Sequence, residues 1–191
     1  MAGVVGAVLA AGSGSRMGSP KAEMTIDGVR LVDRAVAALT DGGCEDVIAV
    51  VRAGVAVPGA RAVVNSDPDR GMRSSLRLAI EAAGAAEALA VLLVDMPGVT
   101  AAVVRGVITG WTPGRIAVAG YAGRRGHPTV MSPEVWRLAL RYAGRDEGAR
   151  VLLASRPDLL DEIAVDGDPT DLDTPADVAH WTPRRSDNSG G

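Results

Sequence analysis

Lys21 is the only lysine in a chain of 191 residues whose other basic side chains are all arginine. It closes the segment Leu9-Ala10-Ala11-Gly12-Ser13-Gly14-Ser15-Arg16-Met17-Gly18-Ser19-Pro20-Lys21, which follows the apolar run Val4-Val5-Gly6-Ala7-Val8. Glycine lets a backbone come close to phosphate oxygens, its amides can cradle them, and Arg16 and Lys21 add positive charge. Lysine is a compact point charge and arginine a planar fork, so a retained ammonium suits an oxygen reached through a narrow gap. The segment therefore predicts a polyphosphate site, against the plainer reading of a flexible turn between a strand and a helix. It is not a Walker A loop, because the required spacing is missing. It is not the dinucleotide fingerprint either, since Met17 stands where the third glycine belongs and Gly18 comes one place late.

Carboxylates supply the second half of the chemistry. Asp95 ends the apolar run Ala90-Val91-Leu92-Leu93-Val94 and precedes Met96-Pro97. A charge at the exit of such a strand is costly unless paired or bound to metal, and Mg²⁺ favours one or two carboxylates completed by substrate phosphates. In Asp171-Leu172-Asp173-Thr174-Pro175, alternate residues of an extended stretch share a face, so Asp171 and Asp173 are candidate co-ligands. Asp173 reads equally well as a helix cap, and both roles could hold together.

Weaker signals surround these. Asn65 ends a short apolar run, and Gly71-Met72-Arg73-Ser74-Ser75 opens a helix whose amides and hydroxyls could hold a nucleotide, or simply cap the helix. Arg124-Arg125-Gly126-His127-Pro128 gathers positive charge on an expected loop, where solvated arginines are the commoner explanation. His180 reads as an ordinary surface or packing residue.

Composition narrows the partners. A net charge of −3 argues against a general nucleic-acid binder. Aromatic residues at 3%, with no Phe, remove the stacking platforms used by single-strand binders. The lone Cys44 excludes an internal disulfide and a cysteine zinc site, and reads as a packed loop-to-strand residue. No stretch has the features of a secretory signal or a membrane span, so no membrane partner is expected and a cytoplasmic location is.

The elements that must position these residues alternate. Strands are expected at Val4–Ala10, Val47–Val51, Ala60–Val64, Ala88–Val94, Arg115–Ala119, Thr129–Met131 and Leu160–Val165. Helices are expected at Leu31–Leu39, Met72–Ala83, from Thr100 to Ile108, from Pro133 to about Tyr142, at Gly148–Ser155, and from a cap at Asp173-Thr174-Pro175 to Trp181. Such alternation predicts an α/β fold: three α/β/α layers, Rossmann-like, around a mostly parallel sheet. One domain is expected over residues 1–182, with residues 183–191 a disordered polar tail. In an open α/β sheet, ligands sit beyond the carboxyl ends of the strands, where the polar segments above should gather.

Together these residues resemble the nucleotidyltransferases of molybdenum cofactor maturation. The resemblance runs from Leu9 to Lys21 through Gly71-Met72 with Ser74-Ser75, Asp95-Met96-Pro97, Gly126-His127-Pro128, Gly148-Ala149-Arg150 and Asp171-x-Asp173-Thr174-Pro175. It implies a nucleotidyltransferase fold, Mg²⁺, and transfer of a nucleoside monophosphate to the phosphate of molybdopterin with release of pyrophosphate. The guanylyl branch typically has Gly where Ala11 stands and Asp where Pro20 stands. The cytidylyl branch is the better match, which implies CTP rather than GTP. A molybdoenzyme or its chaperone would be the implied protein partner.

On that resemblance, the catalytic candidates are Arg16, Lys21 and Asp95. Leu9, Ala10, Ala11, Gly12, Gly14, Lys21, Asn65, Ser74, Ser75 and Asp95 would hold the nucleotide. Asp95 with Asp173 or Asp171 would hold the metal, and Arg125 and His127 the anionic pterin. Rival readings are a GTP-using or sugar-phosphate nucleotidyltransferase, a pyridine-nucleotide oxidoreductase on the same scaffold, and a nucleotide-binding regulator without turnover. Against the oxidoreductase, no acidic residue ends the second strand at the offset a ribose contact needs.

Overall fold

Alternation along the first strand decides the layering. In the computed structural model, which describes residues 3–12, 20–144 and 149–181, strand β1 spans Val4–Leu9. Ala7 and Leu9 pack into one core and Val8 and Ala10 into another, so the strand is buried on both faces. Seven strands form the main sheet in the order β5-β4-β1-β6-β8-β7-β9. They are β4 (Asp46–Val51), β5 (Arg61–Val64), β6 (Ala88–Leu93), β7 (Ile116–Tyr121), β8 (Arg124–Met131) and β9 (Leu160–Ala164), beside β1. Strands β5, β4, β1 and β6 run parallel, as do β7 and β9, whereas β8 is antiparallel to both of its neighbours. Short strands β2 (Thr25–Ile26) and β3 (Val29–Arg30) form a separate hairpin.

Helices cover both faces. One core holds α1 (Leu31–Asp41) and α3 (Ala101–Gly110) against Val47, Ala49 and Val51. The other holds α2 (Met72–Ala83), α4 (Pro133–Tyr142) and the short α5 (Arg150–Ser155) against Ile48, Val50, Leu89 and Val91. A last short helix, α6 (Pro175–His180), follows the final loop. The expected three-layer α/β/α architecture is therefore the observed one. No helix among the described residues is long and apolar enough to cross a membrane.

The caps follow the sequence with one correction. Thr100 accepts from Val103 N, and Ser132 accepts from Val135 N ahead of Pro133, as their residue types require. The last helix is capped by Thr174 in a reciprocal capping box with Asp177. Asp173 is therefore not the cap, and its carboxylate is available for other partners.

The larger departure is at Arg124–Pro128, expected as a loop and found inside β8. Arg124 and Arg125 pair with Tyr121 and Gly120 across a tight β7–β8 hairpin. The register then shifts: Thr129 pairs with Val118 and Gly126 with Ala119, so His127 and Pro128 are extra residues on β8. The sequence pattern missed this because the bulge interrupts the alternation that marks a strand. Residues 182–191, including the expected tail, lie outside the described residues.

Candidate active site

The parallel strands end on one edge of the sheet, and that edge carries the charged residues. A single turn of 3₁₀ helix at Lys21–Glu23 brings the lysine back over it. Lys21 Nζ donates to Asp95 Oδ2 at 2.7 Å and to Asp173 Oδ1 at 2.8 Å. Asp95 stands two residues beyond the end of β6, and its backbone carbonyl accepts from Leu172 N at 2.9 Å. This bond fastens the final loop beside the strand exit and delivers Asp173 to the lysine. Gly98 makes the packing possible, because a Cβ there would stand 2.5 Å from the Asp168 carbonyl oxygen.

Burial works against the Lys21 charge. Hydrogen bonds and attraction from Asp173 and Asp95 outweigh it and hold the pKa above the ordinary lysine value. Side-chain exposure is 16% at Lys21, 19% at Asp95 and 55% at Asp173, so the cluster is shielded beneath and open above. Asp95 Oδ1 is buried and has no hydrogen-bond partner among the described residues. Nor do three carboxylate, histidine or cysteine ligands converge among those residues, so Asp171 does not complete a triad with Asp95 and Asp173.

The other predicted nucleotide contacts meet different fates. Asn65 is buried; its Nδ2 donates to Ser74 Oγ at 2.8 Å and Ser75 Oγ at 3.0 Å, and its Oδ1 accepts from Asp67 N. The three residues are thus together, but their polar atoms tie the β5 exit to the start of α2. Leu9 O accepts from Val94 N, Ala10 N donates to Val50 O, and Ala11 O accepts from Arg52 Nε. Those three groups tie the start of the glycine segment to the neighbouring strand ends rather than facing outward. Gly12 is exposed at the start of the glycine segment, whereas Gly14 and Arg16 lie outside the described residues. Arg52 escaped the sequence reading, although a charge directly after the apolar run Val47–Val51 is the same signal that exposed Asp95.

Beside the charged cluster lies a cavity of about 410 Å³. Its floor is the sheet, at Leu9, Val91, Leu93 and Val118; Met72, Leu76, Trp136 and Leu153 from three helices roof it. Arg125, His127 and Arg150 line it as well. Arg125 Nε donates to Glu162 Oε2 at 2.9 Å. The Glu162 side chain crosses β7 at Gly120, where a Cβ would lie 2.6 Å from it. His127 Nδ1 lies 3.1 Å from the Val91 carbonyl oxygen, which can only accept, so Nδ1 carries the proton. Burial pulls the His127 pKa down, opposed by the Val91 bond and by the charge of Asp95. His127 is therefore a neutral acceptor rather than a cation, and positive charge in the cavity comes from the arginines. Tyr121 donates its hydroxyl to the His127 carbonyl, and burial raises its pKa so that it stays a donor.

Known proteins share this organisation. The family profile described as the MobA-like NTP transferase domain matches residues 6–160. The chain is 36% identical over 188 residues to a protein of Paenarthrobacter nicotinovorans named nicotine blue oxidoreductase, across 90% of this chain and 92% of that one. It is 39% identical over 103 residues to a probable molybdenum cofactor guanylyltransferase of Opitutus terrae, covering 52% of this chain and 51% of that one. Rv0371c of Mycobacterium tuberculosis superposes with a TM-score of 0.80 at 30% identity, over 93% of this chain and 96% of that chain. The same mycobacterial protein in complex with manganese gives 0.77 at 29% identity, with the same coverage.

Proposed function

The chain belongs to the MobA-like NTP transferase domain family, and within it we propose a Mg²⁺-dependent enzyme that transfers CMP from CTP to the phosphate of a molybdopterin-type acceptor, releasing pyrophosphate. The observation that carries this reading is the meeting of Lys21, Asp95 and Asp173 at the open end of the sheet, beside a cavity for a ring. An acceptor phosphate oxygen attacks the α-phosphorus in line. The bond from that phosphorus to the bridging oxygen breaks, and pyrophosphate departs with the electron pair. Such a reaction needs alignment and charge neutralisation more than covalent catalysis.

In this reading Lys21 holds triphosphate oxygens, with Gly12, Gly14 and Arg16 of the glycine segment completing the cradle and Arg16 on the leaving pyrophosphate. Asn65, Ser74 and Ser75 keep the nucleotide wall rigid. The donor set of Asp95, with its unpartnered buried oxygen, and the more open Asp173 fits Mg²⁺. Bound there, the ion would neutralise charge building on the phosphate oxygens. Manganese in the complex of the mycobacterial relative is consistent with a divalent ion of this kind. Ala11 and Pro20, where the guanylyl branch typically has Gly and Asp, support CTP over GTP. A molybdoenzyme or its chaperone would receive the product.

A second reading is favoured by two observations, the name of the P. nicotinovorans relative and the largely apolar walls of the cavity. It is a pyridine-nucleotide oxidoreductase acting on a heteroaromatic compound. One thermal-shift panel separates the two readings: CTP, GTP, ATP, NADH and NADPH, each with and without Mg²⁺. A ligand at about 100 times its dissociation constant adds about 2.7 kcal/mol of stability. Mg²⁺-dependent stabilisation by CTP alone supports transfer, and a response confined to NADH or NADPH rejects it.

A further inference from the structure

An ammonium has three N–H donors, and Lys21 spends two of them on Asp95 Oδ2 and Asp173 Oδ1, at 2.7 and 2.8 Å. Both carboxylates stand on pinned backbone. The Asp95 carbonyl accepts from Leu172 N, and Asp173 N donates to Asp177 Oδ2 of the capping box at 3.0 Å. The backbone of Lys21 is anchored as well, because the next residue, Ala22, is fully buried in the core that holds α1. What is left free is the four-carbon stem of the lysine, with its rotatable donors. The ammonium is therefore the part of this cluster that moves at least cost to the fold.

We infer that Lys21 keeps a divalent ion out of the Asp95–Asp173 pair until a polyphosphate draws its ammonium away, so that the pair holds one cation at a time. Charge sets the order. With the ammonium in place, a divalent ion on the same pair would sit beside a positive charge that solvent screens poorly, since Lys21 and Asp95 are both largely buried. With the ammonium gone, the ion neutralises the two carboxylates. A polyphosphate offers the departing ammonium new anionic oxygens, so the exchange balances only when that anion arrives. Asp95 Oδ1, buried and without a partner among the described residues, suits a cation that takes more oxygen ligands than an ammonium has donors. The residue type fits too. The one lysine of the chain stands here, and an arginine would grip a carboxylate with both arms of its fork and release it less readily.

The inference rests on assigning the metal to Asp95 and Asp173 in the transfer reading, but its test uses neither a base nor an acceptor. The probes are Mn²⁺, whose free concentration is read by electron paramagnetic resonance, and inorganic tripolyphosphate with Mg²⁺. Mn²⁺ alone should bind Lys21→Met at least about tenfold more tightly than the full wild-type chain, and adding Asp173→Asn to that variant should cancel the gain. Because the chain has one lysine, protein labelled with carbon-13 lysine gives a single ε-carbon signal. That signal should stay in place with Mg²⁺ alone and shift when tripolyphosphate joins it at the same Mg²⁺ concentration. Equal Mn²⁺ affinity in the wild-type protein and Lys21→Met, or a gain that survives Asp173→Asn, overturns the proposal. So does a lysine signal displaced by Mg²⁺ alone, or one unmoved by Mg²⁺ and tripolyphosphate together. Exchange without CTP-dependent pyrophosphate release would instead count against nucleotidyl transfer, and transfer with an unmoved lysine signal would count against the exchange alone.

Discussion

Lys21 Nζ and Asp95 Oδ2 lie 2.7 Å apart although 74 positions separate them in the chain. Asp173 approaches the same ammonium from the other end of the sequence, 152 positions away. Two carboxylates around one ammonium leave a net charge of −1, which repels a free triphosphate. Adding a divalent cation reverses the sign and lets lysine and metal act on one polyanion. Nucleotide binding is therefore expected to require metal. Titration of CTP with EDTA present should show at least ~10-fold weaker affinity, and Asp95→Asn should abolish the Mg²⁺ dependence. Unchanged Mg²⁺–CTP affinity in that variant would remove Asp95 from the metal site.

Lys21→Ala should slow pyrophosphate release roughly 10²–10³-fold, the usual loss on deleting one charged transition-state contact. Circular dichroism should stay native, since the lysine belongs to the site rather than to either core. Lys21→Arg should be impaired as well, because a planar fork cannot take the place of a compact ammonium between two carboxylates. Near-normal turnover by either variant contradicts the assignment.

Asn65 is expected to act through stability. Replacement by Ala removes the bonds to the Ser75 hydroxyl and the Asp67 amide, while Ser74 keeps its bonds to the Gly71 and Asp67 carbonyls, so unfolding in urea should show a loss of about 1–3 kcal/mol. Nucleotide affinity should fall only as far as the start of α2 loosens. A fully stable variant with lost CTP binding would reverse this picture and make Asn65 a direct ligand contact.

Acid should expose the pair that joins β7 to β9. Arg115 grips Asp161 with Nε at 2.6 Å and with Nη2, and its hydrogen bonds hold the Asp161 carboxyl below its ordinary 3.8. A depressed carboxyl stabilises the fold above its unfolded pKa, and that contribution is lost as pH falls through the lower folded value. Melting temperatures of the wild-type protein and Asp161→Asn should thus differ by a constant amount near neutrality and converge below about pH 4. A gap that widens in acid would contradict the sign.

The strands that carry the charged cluster could be read from sequence because they are buried on both faces. Val47–Val51 and Ala88–Leu93 are continuous apolar runs, and a charge just beyond such a run marks a strand exit. Asp95 was visible for that reason, and Lys21 because it is the only lysine of the chain and closes the glycine segment. Asp173 was only half legible, since Asp and Thr are both good caps and spacing cannot say which one bonds the backbone. The structure gives the cap to Thr174 and the lysine to Asp173. The cavity was hidden altogether. Its walls come from elements remote in the chain, and Leu76 or Trp136 differs from an ordinary core residue only in what lies opposite.

The β7–β8 hairpin stands between the parallel strands β5, β4, β1 and β6 and the edge strand β9, with β8 antiparallel to both of its neighbours. It contributes Arg125, Gly126 and His127 to the cavity but none of the residues that grip Lys21. The Lys21 cluster and the Arg125–His127 wall of the cavity thus reside on separable pieces of chain. If the cavity holds the acceptor as proposed, exchanging this hairpin between relatives should change which acceptor is used and leave the Lys21–Asp95–Asp173 cluster in place, a modular division built into the chain order.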